Sequence, residues 1–180
     1  MLHKNQIKKI VADVKALIRG PEETTGVYLS SRVREETMRM NIRMGELFVE
    51  HSGFAIFLPH TISPQEHHEE IEEAIYRRCV EEIDRSKVLL LLADAYGRDC
   101  AWEVGYARGK GKFVVAVVET SDGLQRIRED WMVKGAIDAT LVVGQDLYQT
   151  ALEDTMLRNK PLLHVEYQNI PKTLSLIARN

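Results

Sequence analysis

Two uninterrupted apolar runs, Val88 to Ala93 and Phe113 to Val118, flank one helix-length segment, and this arrangement limits the possible folds more than any other feature. A run that is apolar at every position has no solvated side, which fits a central strand of a parallel sheet covered on both faces. Parallel neighbours need a crossover, and Asp99 to Lys110 supplies it: Asp99 can cap a helix that Gly109 or Gly111 ends. The order is strand, helix, strand. Cys100, Val104 and Ala107 mark the sheet-facing side of this helix, and Glu103 lies at the edge of that side.

Open parallel sheets bind ligands at the carboxyl ends of their strands, so the loop Asp94 to Asp99 is expected to border a crevice that holds Glu103. Near a helix N-terminus the backbone dipole favours an ionised carboxylate by roughly 0.3 to 1 kcal/mol. That suits a nucleophile or an electrostatic stabiliser. Spacing alone equally allows a glutamate paired with an arginine or lysine.

Upstream, Gly26 to Ser31 reads as a first strand leading into a helix with Val33, Thr37, Met40, Met44, Leu47 and Phe48 inward. The turn Ser30-Ser31-Arg32-Val33-Arg34 offers hydroxyls, backbone N–H groups and two guanidinium groups at a helix start, a combination that can hold a phosphate. Arginines opening an exposed helix can also simply be solvated. Phe54 to Leu58 forms the second strand, and His60 follows it at the same end of the sheet as Ser30. Ser63 to Glu82 is helical, with Ile71, Ile75, Cys79 and Ile83 in phase. His67 and His68 project about 100° apart on that helix and cannot share one metal ion.

With these residues in place, Asp99-x-x-Trp102-Glu103-Val104-Gly105-Tyr106-Ala107, followed by Gly-Lys and a valine-rich strand, resembles the nucleoside 2-deoxyribosyltransferase family, including its 2'-deoxynucleoside 5'-phosphate N-hydrolases. The resemblance covers about Gly26 to Glu119. It implies a flavodoxin- or Rossmann-like α/β fold with helices on both faces of a five-stranded parallel sheet. It also implies that Glu103 is the nucleophile, that Tyr28 holds that carboxylate, and that Ser30, Ser31, Arg32 and Arg34 contact a 5'-phosphate. Asp99 or Asp94 would be the second carboxylate, and His60 a further crevice residue. The expected reaction is cleavage or transfer at the N-glycosidic bond of a 2'-deoxynucleoside or its 5'-monophosphate, with no cofactor and no metal. One departure stands out. The helix position at which the family carries a substrate-contacting aspartate is Cys79 here, which favours the alternative of a catalytically weak nucleotide-binding or sensing module. A strand-end loop before a Trp-Glu helix also looks somewhat like the Toll/interleukin-1 receptor NAD hydrolases.

The remaining chain sets the boundaries. His3 to Ile18 carries Ile7, Ile10, Val11, Val14, Leu17 and Ile18 at helical spacing, so residues 1–20 are read as an added amphipathic helix ended by Gly20-Pro21. Residues 26–145 form the α/β domain, with Leu124 to Val133 a short helix holding Trp131 and Ile137 to Val143 the fifth strand. Residues 146–180 form an extension packed on the domain or on a neighbouring subunit, in which Leu162 to Tyr167 can be a further strand. Tyr148, His164 or Tyr167 would close a neighbour's site in the homo-oligomer that the resemblance implies. With 180 residues, 28% of them charged and a formal net charge of -3, nothing argues for a polyanion-binding surface, so nucleic acid is not the expected partner, although local arginines can still hold one phosphate. No membrane span or signal peptide is readable, and Cys79 and Cys100 make neither a disulfide nor a metal framework, so a cytoplasmic setting is expected.

Overall fold

The computed structural model describes residues 25–51, 54–62 and 71–178. The amphipathic segment of residues 1–20 and the histidine pair at 67 and 68 lie outside these residues. Six short strands are formed: β1 (Thr25–Ser30), β2 (Phe54–Phe57), β3 (Val88–Leu92), β4 (Phe113–Val118), β5 (Ala139–Val143) and β6 (Leu162–Val165). They build one sheet in the order β2-β1-β3-β4-β5-β6, and every neighbouring pair is parallel. The expected count of five is thereby corrected to six. Leu162–Val165 is an edge strand of four residues that buries only its first and last, so its apolar signal is weak.

Among the described residues seven helices connect these strands, α1 (Glu35–Glu50), α2 (Ile71–Arg85), α3 (Arg98–Gly109), α4 (Ser121–Glu129), α5 (Trp131–Ala136), α6 (Gln145–Ala151) and α7 (Thr155–Arg158), and an eighth, α8 (Ile170–Ile177), follows β6. Strand residues alternate between two cores. Val27, Leu29, Leu90, Leu92, Val115 and Val117 meet Met44 and Phe48 of α1 and Ile170 and Leu174 of α8. On the other face, Tyr28, Leu89, Leu91, Val114 and Ala116 meet Ile83 of α2, Cys100, Val104 and Ala107 of α3, and Leu124 and Ile127 of α4. Every residue of β3 is buried, as a strand covered on both faces must be.

Three local expectations change. Gly97, not Asp99, is the N-cap of α3, and Asp99 is an exposed first-turn residue. The segment holding Trp131 is two helices, because Asp130 ends α4 and then accepts a hydrogen bond from the Val133 N–H (3.0 Å) to cap α5. Val33 precedes α1 and is exposed, while Asn41 takes a buried place on its inner face. The two glycines at the end of α3 divide the work. Gly109 is the last helical residue, and Gly111 turns the chain at φ 71°, a left-handed conformation that favours glycine.

Candidate active site

The strand order reverses at β1: β2 lies on one side of it and β3 on the other. At such a switch point the two flanking connections diverge and leave a crevice above the carboxyl ends of the strands. Tyr28 and Ser30 occupy this end of β1 on one face, two residues apart. Across from them α3 follows β3, and the burial of Cys100, Val104 and Ala107 against the sheet turns Glu103 towards β1.

Glu103 is 8% exposed and held at both oxygens. The Tyr28 hydroxyl donates to Oε1 at 2.6 Å, and the Ser30 hydroxyl donates to Oε2 at 2.6 Å. No arginine or lysine is needed to hold this carboxylate. Burial pushes its pKa up to about 7, the two hydroxyl donors pull the other way, and the charge of Asp99 adds to the rise. The dipole of α3 does not keep Glu103 ionised as the sequence suggested, because Glu103 lies beyond the first turn, where that effect fades. Tyr28 is fully buried, its pKa is raised mainly by burial, and its ring stacks on Phe57 with centroids 5.5 Å apart. It therefore stays a neutral donor. Next to its hydroxyl lies the half-buried Cys79 thiol, whose pKa burial also raises, so α2 brings an uncharged group to this wall.

The other candidate residues divide. Asp99 is close enough for its charge to act on Glu103. The Asp94 carboxylate is engaged with β4 and α4 instead: it accepts from the Glu119 N–H at 2.7 Å and from the Thr120 hydroxyl. Its backbone carbonyl accepts from Arg126 at 2.7 Å. The Ser31 hydroxyl donates to Asn41 Oδ1 at 2.6 Å, and Asn41 Nδ2 donates to the Arg32 carbonyl at 3.3 Å. Thr37 Oγ1 lies 2.5 Å from the same carbonyl. Asn41 and Thr37 thus shape the turn from beneath, a role whose only sequence signal is two polar residues four apart on an inward face.

Arg32 is half-buried, with its N–H donating to the Ala95 carbonyl at 2.8 Å and its side chain packed over Gly97, where a Cβ would stand 3.3 Å from Arg32 Cδ. Arg34 is exposed at the N-cap of α1. His60 sits in the single turn Pro59–Thr61 after β2. Burial lowers its pKa to about 4, leaving a neutral imidazole whose buried Nδ1 has no partner among the described residues. Tyr148 and His164 face each other with ring centroids 6.0 Å apart, and Tyr167 lies 3.4 Å beneath the Arg43 guanidinium. Among the described residues, no three His, Cys, Asp or Glu side chains converge as a metal site would require, and no helix is long and apolar enough to cross a membrane.

The family model for nucleoside 2-deoxyribosyltransferases matches residues 27–159. No curated protein matches the sequence. Among solved structures, a conserved protein from Enterococcus faecalis V583 is similar at 16% identity and a TM-score of 0.54, over 86% of this chain and 99% of that one. A 2-deoxyribosyltransferase from the psychrotolerant Bacillus psychrosaccharolyticus aligns at 19% identity and a TM-score of 0.48, over 77% of this chain and 100% of that one. A CMP N-glycosidase from Clostridium botulinum aligns at 13% identity and a TM-score of 0.46, over 85% of this chain and 99% of that one. At such identities the likeness is one of fold.

Proposed function

This chain belongs to the nucleoside 2-deoxyribosyltransferase family, and from that premise we propose that it cleaves or transfers at the N-glycosidic bond of a 2'-deoxynucleoside 5'-monophosphate through Glu103. One observation carries this reading: a buried carboxylate at the sheet's switch point, clamped at both oxygens by neutral hydroxyl donors 2.6 Å away. A structural glutamate in so apolar a place would normally be paired with a cation. Two hydroxyls orient the carboxylate without cancelling its charge, which suits a nucleophile.

In the reaction, a Glu103 oxygen bonds to C1' as the C1'–N bond breaks, and the bonding pair leaves with the base, which takes up a proton. Water or a second base then displaces Glu103 and restores the free carboxylate. Asp99, exposed beside the crevice, is the residue that supports proton delivery to the leaving base, since both Asp94 oxygens are already engaged. Ser30 acts on Glu103 and Ser31 on Asn41, so a phosphate would rely on Arg32, Arg34 and the backbone of their turn. The neutral Cys79 wall favours a second reading, a binding module with little turnover.

Both readings are separated by incubating the protein with deoxynucleosides and their monophosphates and following free base by chromatography. Glu103→Ala should abolish release while the fold persists, and undiminished release would remove Glu103 from the mechanism. Arg34→Ala should weaken a monophosphate by about ten- to a hundredfold and leave a nucleoside nearly unchanged. Equal losses for both ligands would show that the turn does not read phosphate. Thermal stabilisation by a monophosphate without any base release would establish the second reading.

A further inference from the structure

A column of three aromatic rings stands beside Glu103 and takes no part in holding it. Tyr76 of α2 and Trp102 of α3 meet across the gap between the two helices with ring centroids 5.3 Å apart, and Trp102 stacks on Tyr106 at 5.2 Å and 12°. Both helices follow strands of a parallel sheet, so both start at the carboxyl ends of the strands and run away from the crevice. Tyr106 is therefore the end of the column far from the crevice. Its hydroxyl lies 3.2 Å from both oxygens of Asp84, and the Lys110 ammonium lies 5.1 Å from its ring centroid. Tyr76 is the end nearer the crevice, and 56% of it is exposed. The stack is fixed at one end and open at the other.

The open end adjoins the reacting carboxylate. Trp102 precedes Glu103, and successive helical residues point about 100° apart, so while Glu103 turns to Tyr28 and Ser30, Trp102 turns to α2. Tyr76 lies about one turn before Cys79, whose thiol is next to the Tyr28 hydroxyl. The two rings thus stand on the solvent side of the groups that surround Glu103. Helix packing alone does not call for aromatic residues here. Tyr76 and Trp102 leave 56% and 43% of their surface in water, and so recover only part of the burial that makes such rings useful in a core. A planar ligand lying on them would cover the remainder. Below the rings, the Cys79 thiol is a weak hydrogen-bond donor, so α2 offers the ligand's edge little besides stacking.

We infer that Tyr76 and Trp102 form the platform on which the substrate's nucleobase lies, so that a purine, with the larger ring area, is held more tightly than a pyrimidine. This rests on the reading of the site as one that takes deoxynucleosides or their monophosphates, and adds which side chains hold the base. Stacking is tolerant of base identity, because every base presents a π-face. A platform fixed by Tyr106 and Asp84 before the ligand arrives loses little conformational freedom when the base binds.

Tryptophan emission tests the inference, because the chain has two tryptophans and Trp131→Phe, at a 77% exposed position on α5, leaves Trp102 as the one reporter. The full chain carries Glu103→Ala as well, so that ligand is not consumed, and is excited beyond the absorption of the bases. The 5'-monophosphates of 2'-deoxyadenosine and 2'-deoxycytidine should quench the emission, and base-free 2-deoxyribose 5-phosphate should bind without quenching. Tyr76→Ala should weaken both nucleotides by about five- to a hundredfold, the adenine nucleotide more, and leave the sugar phosphate unchanged. Tyr76→Phe keeps the ring and should restore the affinity. Thermal stabilisation reports binding independently of emission, so the failures separate. Stabilisation by the nucleotides without quenching, tighter binding of the cytosine nucleotide, or an equal loss of the sugar phosphate in Tyr76→Ala would overturn the platform and leave the reading of the site standing. No stabilisation by any of the three ligands would overturn that reading together with the platform. If Tyr76→Ala melts early, the quenching measurement, which alters neither ring, decides alone.

Discussion

Glu103 is kept by the fold in a state that the isolated side chain avoids. Burial raises its pKa from 4.5 to about 7, which costs the ionised form on the order of 3 kcal/mol. Because the folded value lies above the unfolded one, the stability this group contributes is present below pH 4.5 and is lost as pH rises through about 7. Glu103→Gln removes the ionisation, so its melting temperature should exceed that of the wild type by several degrees at pH 8 and by much less at pH 5. A difference that does not change with pH would mean that Glu103 is not held at a raised pKa. The same carboxylate must be ionised to attack, so base release should rise about tenfold per pH unit up to about pH 7 and then level off. A limb near pH 4 to 5 would place Glu103 in contact with water. Stability and activity thus change in opposite directions with the charge of one residue.

At the scale of elements, the turn between β1 and α1 depends on a residue that never reaches the crevice. Asn41 is fully buried on α1 and satisfies both the Ser31 hydroxyl and the Arg32 carbonyl. Asn41→Ala would leave a buried hydroxyl and part of a buried carbonyl without their partner, at a cost of about 1 to 3 kcal/mol in urea unfolding. It should also raise the KM for a monophosphate more than for a nucleoside, because Arg32 and Arg34 lose their support. A stability change under about 0.5 kcal/mol would show that Thr37 alone shapes the turn. The first helix was legible in its apolar phase, but Asn41 was not. A polar residue in that phase is read as a boundary error until its partners are known.

For the whole molecule, residues beyond β5 are part of the same core. β6 pairs with β5 from Thr140↔Leu162 to Val143↔Val165, and α8 buries Ile170 and Leu174 completely against the α1 face of the sheet. Leu174→Ala should cost about 2 to 5 kcal/mol in one cooperative transition. Lys172→Ala, on the exposed side of the same helix, should stay within about 0.5 kcal/mol. A separate early transition for Leu174→Ala would show that α8 melts independently of the domain. The sequence placed this region as an extension, because Pro161 and Pro171 interrupt its periodicity.

What the sequence determined by itself was the layout within short distances along the chain. β3, α3 and β4, the side of α3 that meets the sheet, and the place of Glu103 at its edge follow from apolar periods and helix stops contained in one stretch. Tertiary structure alone decided what surrounds Glu103. Tyr28 and Ser30 are 75 and 73 residues away, and only the pairing of β1 with β3 brings them within 2.6 Å. It also decided that Asp94 binds the end of β4 while Asp99 stays exposed with its charge acting on Glu103, and that a sixth strand takes the edge of the sheet. The physical reason is that periodicity reports which side of an element avoids water. Burial, hydrogen-bond partners and pKa depend on groups that other parts of the chain bring to that side.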